Sequence, residues 1–157
     1  MIEIVGNFED EYRKHEALVV TTNKVLKTNQ NGDKALVMGK GIAAWFRDNF
    51  KGLDKALALR LLESDAPNLI ALRWNEKSFD SKWIIALPTK IKWSQHSIPE
   101  LIERGLQELK FAVRILGLKS VLMTRPGCGS GRLDWNDIKP LCEKYLDERF
   151  SVINPKN

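Results

Sequence analysis

The chain has 157 residues, of which 43% are hydrophobic and 29% charged, and 25 Lys and Arg against 20 Asp and Glu give it a net charge of +5. This length favours a single domain, 1–157, with a substantial hydrophobic core, and aliphatic runs along the whole chain exclude a disordered protein. No apolar stretch approaches the roughly 20 residues of a membrane helix, and the first residues lack a signal-peptide pattern. The two cysteines make no disulfide framework. We therefore expect a cytoplasmic protein without membrane partners.

Apolar runs alternate with amphipathic stretches, a pattern typical of an α/β domain. The segments predicted to be strands are 2–5, 17–22, 68–74, 82–87, 120–124 and 150–153. The polar residues 75–81 are interpreted as a hairpin loop that joins the third and fourth of these strands. Pro88 and Pro126 are expected to end the strands before them, because proline has no amide proton for a strand ladder.

The clearest helix follows Ser97–Glu100, which we interpret as a capping box. After it, apolar residues recur at helical spacing until Gly117, which is expected to end the helix. Two shorter helices are predicted at 41–50 and 53–64.

A last helix is expected to begin near 134–137. If Asp137 is its N-cap, Pro140 falls in the first turn, where a missing amide proton costs little. The residues that this helix should bury are Ile138, Leu141, Cys142, Tyr145 and Leu146.

Two glycine-bearing loops, 37–43 and 125–135, each lie between strand-like residues and a helix. Glycine lets the backbone approach a ligand closely, and amide groups at a helix N-terminus bind anions. One such loop is equally typical of an ordinary turn, but two indicate a ligand with more than one phosphate, or with a phosphate and a sugar. Neither loop matches a Walker A sequence or the dinucleotide-binding fingerprint.

Four segments in order, 17–23, 38–43, 87–90 and 127–135, resemble a macro domain. Within that family they resemble the branch that contains bacterial DNA ADP-ribosyl glycohydrolase antitoxins and the human terminal ADP-ribose glycohydrolase. The resemblance covers nearly the whole chain, and its most specific part is the segment GCGSGRLDW. It implies a three-layer α/β/α fold with a mixed, roughly six-stranded sheet and an ADP-ribose cleft above it.

The resemblance also implies how ADP-ribose is held. Asn7 stands where the family has an aspartate that accepts the adenine amino group, so a neutral hydrogen bond replaces a charge-assisted one. Asn23 matches an asparagine that contacts the distal ribose, 39–42 match the loop along the diphosphate, and 127–133 match the loop that cradles the phosphates. The expected ADP-ribose contacts are Asn7, Phe8, Thr21, Asn23, Met38, Gly39, Lys40, Gly41, Ile42, Gly127, Cys128, Gly129, Ser130, Gly131, Arg132 and Leu133.

Lys90 is the catalytic residue that the resemblance implies. The matching lysine of that branch attacks the opened C1 carbonyl of ADP-ribose as a Schiff-base nucleophile, which requires that its proton be removed or shared. Without the resemblance, Lys90 would be interpreted as a surface lysine that ends a strand. The human relative has a second-loop aspartate where this chain has Gly131, and the bacterial DNA-directed relatives have glycine there.

Other candidate residues are interpreted more simply. Cys128 is expected to be a small residue of a tight loop rather than a nucleophile, because no histidine is its evident partner. His15 and His96 have no familiar metal-ligand spacing with the cysteines, so neither a metal nor a cofactor is expected. Trp93 lies in the polar loop 92–96, where it fits either a base-stacking or rim role or an ordinary packed ring.

The expected function is binding of ADP-ribose with hydrolysis of an ADP-ribosyl linkage. An ADP-ribose-1″-phosphate phosphatase and a non-catalytic reader of ADP-ribose on a partner are the alternatives. A nucleic-acid-binding module is weaker, because the basic residues are scattered and form no stripe. The expected partners are ADP-ribose or an ADP-ribosylated substrate, including ADP-ribosylated nucleic acid, and the protein is expected to be a monomer.

Overall fold

The computed structural model describes residues 1–63, 68–76 and 79–155. Its strands are β1 (Ile2–Gly6), β2 (Ala17–Thr22), β3 (Leu26–Thr28), β4 (Lys34–Leu36), β5 (Ile70–Glu76), β6 (Phe79–Pro88), β7 (Val121–Thr124) and β8 (Phe150–Pro155). Its helices are α1 (Phe8–Glu11), α2 (Gly41–Asn49), α3 (Leu53–Glu63), α4 (Pro99–Ile115) and α5 (Trp135–Tyr145), and a 3-10 turn, Tyr12–Lys14, follows α1.

Within the described residues, six strands form one sheet in the order β1-β8-β7-β2-β6-β5. The pairs are parallel except for β5 and β6, which run antiparallel. Five strands therefore point the same way, and their carboxyl ends meet at one edge of the sheet, where α/β proteins bind ligands. β3 and β4 form a separate antiparallel pair.

Helices cover both faces of the sheet. Ala17–Val20 in central β2 have no exposed surface, as expected for a strand covered on both sides. Because successive side chains alternate in direction, Val19 packs with α4 and α5, while Val20 packs with α1, α2 and α3. The structure confirms the expected three-layer α/β/α fold with a mixed sheet.

Helix α4 contributes much of one core layer. Ile102, Leu106, Leu109 and Val113 recur on one face of it and are fully buried, which contributes about 1.5–3 kcal/mol per side chain. Gly117 follows with a φ of +64°, the left-handed conformation that ends helices and that only glycine adopts at low cost. This end is the one that the sequence predicted.

The predicted capping box before α4 is wrong. The N-cap is Ile98, which makes no side-chain cap bond, and its backbone is extended because it precedes Pro99. Ser97 consequently lies outside the helix. Its hydroxyl donates a hydrogen bond to Thr89 Oγ1 at 3.1 Å instead of capping the helix.

Helix α5 has Asp134, not Asp137, as its N-cap. The carboxylate of Asp134 accepts a hydrogen bond from the Asn136 N–H at 2.8 Å. Pro140 is therefore inside the helix rather than in its first turn, and it leaves the carbonyl of Asn136 without the usual amide donor.

The strands of the β5–β6 hairpin are longer than predicted. β5 continues to Glu76 and β6 begins at Phe79, so most of the predicted loop 75–81 is strand, and its tip, 77–78, lies outside the described residues. The sequence also missed α1 and the β3–β4 pair. In the ranges that the structure describes, no helix is long and apolar enough to cross a membrane.

Candidate active site

A cleft of about 1340 Å³ lies at the edge of the sheet where the parallel strands end. The segments after β1, β2, β6 and β7 line it, together with the N-terminus of α2. Along this edge Asn7 follows outermost β1 and Lys90 follows β6, four strand spacings away. At about 4.8 Å per spacing these two positions are about 19 Å apart, so the cleft is long.

The cleft brings together nearly all the site residues that the sequence predicted. The predicted residues that line it are Asn7, Phe8, Thr21, Asn23, Gly39, Lys40, Gly41, Ile42, Lys90, Gly127, Cys128, Gly129, Ser130, Gly131, Arg132 and Leu133. Met38 does not, because its side chain is 2% exposed and packs in the core beneath α2. Its carbonyl accepts a hydrogen bond from Arg47 Nη1 at 3.1 Å, which ties the first loop to α2.

Asn23 braces the first loop from inside the cleft. Its Oδ1 accepts the Val25 N–H at 2.8 Å, and its Nδ2 donates to the Val37 carbonyl at 2.9 Å. The side chain is only 8% exposed, and one amide proton is left for a ligand. Asn23 therefore holds the loop in place in addition to lining the cleft.

The first loop leads directly into the N-terminus of α2. Lys40 is the N-cap but makes no side-chain cap bond, so the first amide groups of the helix are not used by a cap. Gly41, Ile42 and Ala43 line the cleft, and the positive end of the helix dipole points into it. This arrangement is suited to an anion such as a phosphate.

The second loop is a tight turn that is packed against the segment before α4. Leu133 N–H donates to the Gly127 carbonyl at 2.9 Å, and Ser97 N–H donates to the Gly131 carbonyl at 3.0 Å. Gly127 has a φ of +76°, and a Cβ there would lie 2.7 Å from Ile102 Cδ1. Glycine is thus required at Gly127 by both backbone conformation and space.

Arg132 is the one non-glycine residue with a positive φ, +60°, among those described. Such a conformation costs an arginine on the order of 1 kcal/mol and is typical of functional loops. The two glycine loops also approach each other across the cleft, since a Cβ on Gly41 would lie 3.1 Å from Ser130 Oγ.

Lys90 lies at the opposite end of the cleft from Asn7, immediately after β6. Partial burial lowers the pKa of its amine, and the positive charges of Lys40 and Arg132 lower it further. More of the amine is consequently neutral and nucleophilic at a given pH than in an ordinary surface lysine. The two glycine loops thus supply the charges that act on Lys90.

The cysteine and histidine candidates lack the features of a nucleophile or a metal ligand. Burial raises the pKa of Cys128 to about 11, and its Sγ lies 3.5 Å from the Pro126 carbonyl. His15 Nδ1 lies 3.0 Å from the Glu11 carbonyl, away from the cleft. In the part of the chain that the structure describes, no three His, Cys, Asp or Glu side chains are grouped to hold a metal ion.

Several lining residues were not among the expected ADP-ribose contacts. They are Gly6, Glu9, Thr22, Val37, Ala43, Trp45, Thr89, Ser94, Gln95, Ser97, Thr124, Arg125, Trp135 and Ile153. Some of them are neighbours in sequence of an expected contact, and that proximity could have indicated them. Others, such as Trp45 and Ser97, reach the cleft through tertiary packing, which no local pattern reveals.

Arg125 and Trp135 form one wall near the end of β7. The Arg125 guanidinium lies 4.8 Å from the centre of the Trp135 ring, and Trp135 Nε1 donates to Glu3 Oε1 at 3.1 Å. Glu3 also pairs with Lys139 at 2.7 Å, and its carboxyl pKa is lowered mainly by that bond. These contacts connect the second loop and α5 to edge strand β1.

Comparison with known proteins identifies relatives of this chain. No protein-family model matches it. The chain is 29% identical over 136 residues to a DNA ADP-ribosyl glycohydrolase of Thermus aquaticus, an alignment that covers 84% of this chain and 34% of that protein. The chain thus spans about a third of the length of that relative.

Solved structures share the fold over almost the whole chain. The macrodomain of Mycobacterium tuberculosis DarG is 26% identical, with a TM-score of 0.77 and 99% of each chain covered. Thermosipho africanus DarTG, solved in complex with ADP-ribose, is 22% identical with a TM-score of 0.80, and the match covers 99% of this chain and 42% of that one.

Proposed function

We propose that this chain, which is a macro domain similar to those of the bacterial DNA ADP-ribosyl glycohydrolases, binds ADP-ribose in its cleft and hydrolyses an ADP-ribosyl linkage. The observation that carries the proposal is the placement of Lys90. Its amine has a lowered pKa and lies in the same cleft as the amide groups of α2 and the second loop. A nucleophile and two anion sites on one cleft fit a substrate with a diphosphate and a reactive sugar carbon.

In the proposed orientation the adenine lies near Asn7 and the distal ribose near Lys90. The diphosphate between them contacts the first and second loops, where Lys40 and Arg132 add positive charge. The length of the cleft, about 19 Å between its two ends by strand spacing, suits an extended dinucleotide-like ligand. Asn7 offers its carbonyl oxygen to the adenine amino group as a neutral hydrogen-bond acceptor.

The proposed reaction uses Lys90 as nucleophile. The nitrogen of the neutral amine forms a bond to C1 of the distal ribose while the bond from C1 to the acceptor breaks, and the acceptor leaves with a proton. The ribose ring then opens at C1, which turns the adduct into a Schiff base. Water adds to C1 and cleaves the carbon–nitrogen bond, which releases ADP-ribose and restores the amine. The charges of Lys40 and Arg132 favour the neutral amine before each turnover.

The acceptor that we propose is a base of DNA. The names of the relatives give DNA as what they act on, and the charges of Lys40 and Arg132 reach Lys90. Because nucleic acid is a polyanion, positive charge beside the scissile bond increases its local concentration. We also propose that the protein acts in the cytoplasm.

The test is turnover of DNA that carries ADP-ribose on a base, measured with the wild type, Lys90→Ala and Lys90→Arg. Both variants are expected to lose turnover by at least about a hundredfold, because neither alanine nor a permanently charged guanidinium is a nucleophile. Lys92→Ala is the matched control, since Lys92 is an exposed lysine two residues away that does not line the cleft. It should keep wild-type turnover.

Two alternative functions give different results in the same assays. Calorimetric binding of ADP-ribose without turnover of ADP-ribosylated DNA, ADP-ribosylated protein or ADP-ribose-1″-phosphate would identify a reader. Turnover of ADP-ribose-1″-phosphate alone would identify a phosphatase. Undiminished hydrolysis by Lys90→Ala would disprove the lysine mechanism, and absence of ADP-ribose binding would disprove the function itself.

A further inference from the structure

Trp93 differs from the other tryptophans in contacting neither another ring nor a guanidinium among the described residues. Trp45 packs on the rings of Phe8, Tyr12, Phe46 and Phe50. Trp74, Trp83 and Trp135 each contact a ring or a guanidinium. Trp93 makes no such contact with the described residues, is 55% exposed and nevertheless lines the cleft. An indole this exposed does little for the core, so its place at the rim needs another reason.

The turn that carries Trp93 is held in a fixed shape. Gln95 N–H donates to the Lys92 carbonyl at 3.2 Å, and Lys92 N–H donates to Gln95 Oε1 at 3.3 Å. Behind the turn, Lys24 N–H donates to the Ile91 carbonyl at 3.1 Å. The backbone that carries the indole is therefore already ordered. This lowers the conformational entropy that is lost when a ligand stacks on the indole.

Trp93 lies at the end of the cleft where the acceptor must be. It follows Lys90 by three residues and lines the same cleft, and Lys90 follows β6, four strand spacings from Asn7. A substrate bound with its distal ribose at Lys90 projects its acceptor past this end of the cleft. The acceptor thus meets the turn that carries Trp93 first.

Charge around Trp93 favours a polyanionic acceptor. Of the described residues that line the cleft, four are basic and one, Glu9, is acidic. Glu9 lies just after β1, at the Asn7 end, whereas the positive charges of Lys40 and Arg132 act on Lys90, three residues before Trp93. An exposed aromatic ring beside clustered bases is the combination that binds single-stranded nucleic acid.

We propose that Trp93 is the platform on which the nucleobase of the ADP-ribosylated acceptor strand stacks, so that it determines acceptor specificity. This inference rests on the proposed function, in that Lys90 must mark the position of the scissile bond. Trp93 binds substrate in this role and takes no part in the bond changes. Stacking would select a base-linked adduct over one on a protein side chain, which has no comparable flat face.

The experiment measures binding in the Lys90→Ala background, where the substrate survives. Calorimetry compares Lys90→Ala with Lys90→Ala/Trp93→Ala on two ligands: ADP-ribose, and a short single-stranded oligonucleotide that carries ADP-ribose on a base. The second variant should bind the oligonucleotide about tenfold more weakly and bind ADP-ribose with unchanged affinity. Lys90→Ala/Trp93→Phe should recover most of the loss, since phenylalanine keeps a stacking face.

A matched control is Lys90→Ala/Phe111→Ala, which removes an aromatic side chain that is 63% exposed on α4, away from the cleft. It should bind both ligands like its parent. The proposal is overturned if loss of Trp93 leaves oligonucleotide affinity unchanged, or if it weakens both ligands equally. Failure of the parent itself to bind ADP-ribose would instead show that the proposed function is wrong, and the inference falls with it.

Discussion

The carbonyl of Gly131 accepts a hydrogen bond from the N–H of Ser97 at 3.0 Å, and the two residues lie so close that a Cβ on Gly131 would overlap Ser97 Oγ. The same Cβ would lie 2.5 Å from the Gly127 carbonyl oxygen. Ser97 is in turn bonded to Thr89, the neighbour of Lys90. Ser97 thus connects the second loop to the segment that carries the proposed nucleophile, Lys90.

Gly131→Ala is therefore expected to destabilise the protein. Overpacking against Ser97 and the backbone should lower the free energy of unfolding by about 1–3 kcal/mol, measured by urea denaturation. Gly129→Ala is the control in the same loop, because a Cβ there meets nothing within 4 Å. It should change the free energy by less than about 0.5 kcal/mol, and equal losses in the two variants would contradict the proposed crowding.

This crowding gives a physical reason for a difference within the family. The resemblance implies an aspartate at the Gly131 position in the human glycohydrolase and glycine in the bacterial DNA-directed relatives. No side chain fits beside Ser97 in the present arrangement. Position 131 of this chain therefore favours glycine over aspartate.

The pH dependence of turnover should report the lowered pKa of Lys90. In the proposed mechanism the amine reacts in its neutral form, so kcat/KM, which reports the free enzyme, should rise with pH and level off below the ordinary titration range of a lysine. Lys40→Met and Arg132→Met each remove a positive charge, so each should move the inflection to higher pH. Lys40→Arg keeps the charge and should leave it in place.

These profiles are measured as kcat/KM, in which weaker phosphate binding by the variants lowers the plateau and does not move the inflection. Burial is the largest cause of the lowered pKa. Each single charge removal is accordingly expected to restore only part of the ordinary value. An inflection that does not move in either variant would contradict the electrostatic coupling between the two loops and Lys90.

The sequence predicted the elements whose patterns are local and strong. The apolar run of β2 and the helical spacing of α4 predicted both elements, because each is dominated by burial of its own side chains. β3, β4 and α1 were missed, since three- and four-residue elements are too short to show a period. The capping box at Ser97 failed because Pro99 forces the preceding residue into an extended conformation.

The candidate site was predictable from the sequence mainly where glycine-rich loops form it. The glycine loops and the resemblance led to fifteen of the sixteen expected contacts that line the cleft, and Met38 was the exception because its side chain turns into the core. The link between Thr89 and Ser97 was not predictable, since it depends on where the segment before α4 packs. Nor was the lowered pKa of Lys90, which depends on charges from two distant loops.

The sequence offered two acidic residues, Asp134 and Asp137, for the start of α5, and substitutions can show which of them caps the helix. Asp134→Ala should lower the free energy of unfolding by about 1 kcal/mol, because the Asn136 amide loses its acceptor. Asp134→Asn should retain nearly all of the stability, since asparagine caps a helix as well as aspartate does. Asp137→Ala should cost only a few tenths of a kcal/mol from the helix dipole, and a larger loss than in Asp134→Ala would reverse the assignment.

Cys128 should be an unreactive thiol although it lines the cleft. Burial raises its pKa from 9.0 to about 11, a difference of two pH units. At pH 8 the thiolate fraction is therefore about a hundredfold below that of an ordinary cysteine, and alkylation by iodoacetamide should be slower by a similar factor. The rate should rise about tenfold per pH unit until pH approaches 11.

Measuring the alkylation rate in Cys142→Ser isolates Cys128, and bound ADP-ribose should slow the reaction further by covering the second loop. Cys128→Ser should keep turnover, and rapid alkylation at neutral pH with loss of activity would make Cys128, not Lys90, the residue to pursue as nucleophile.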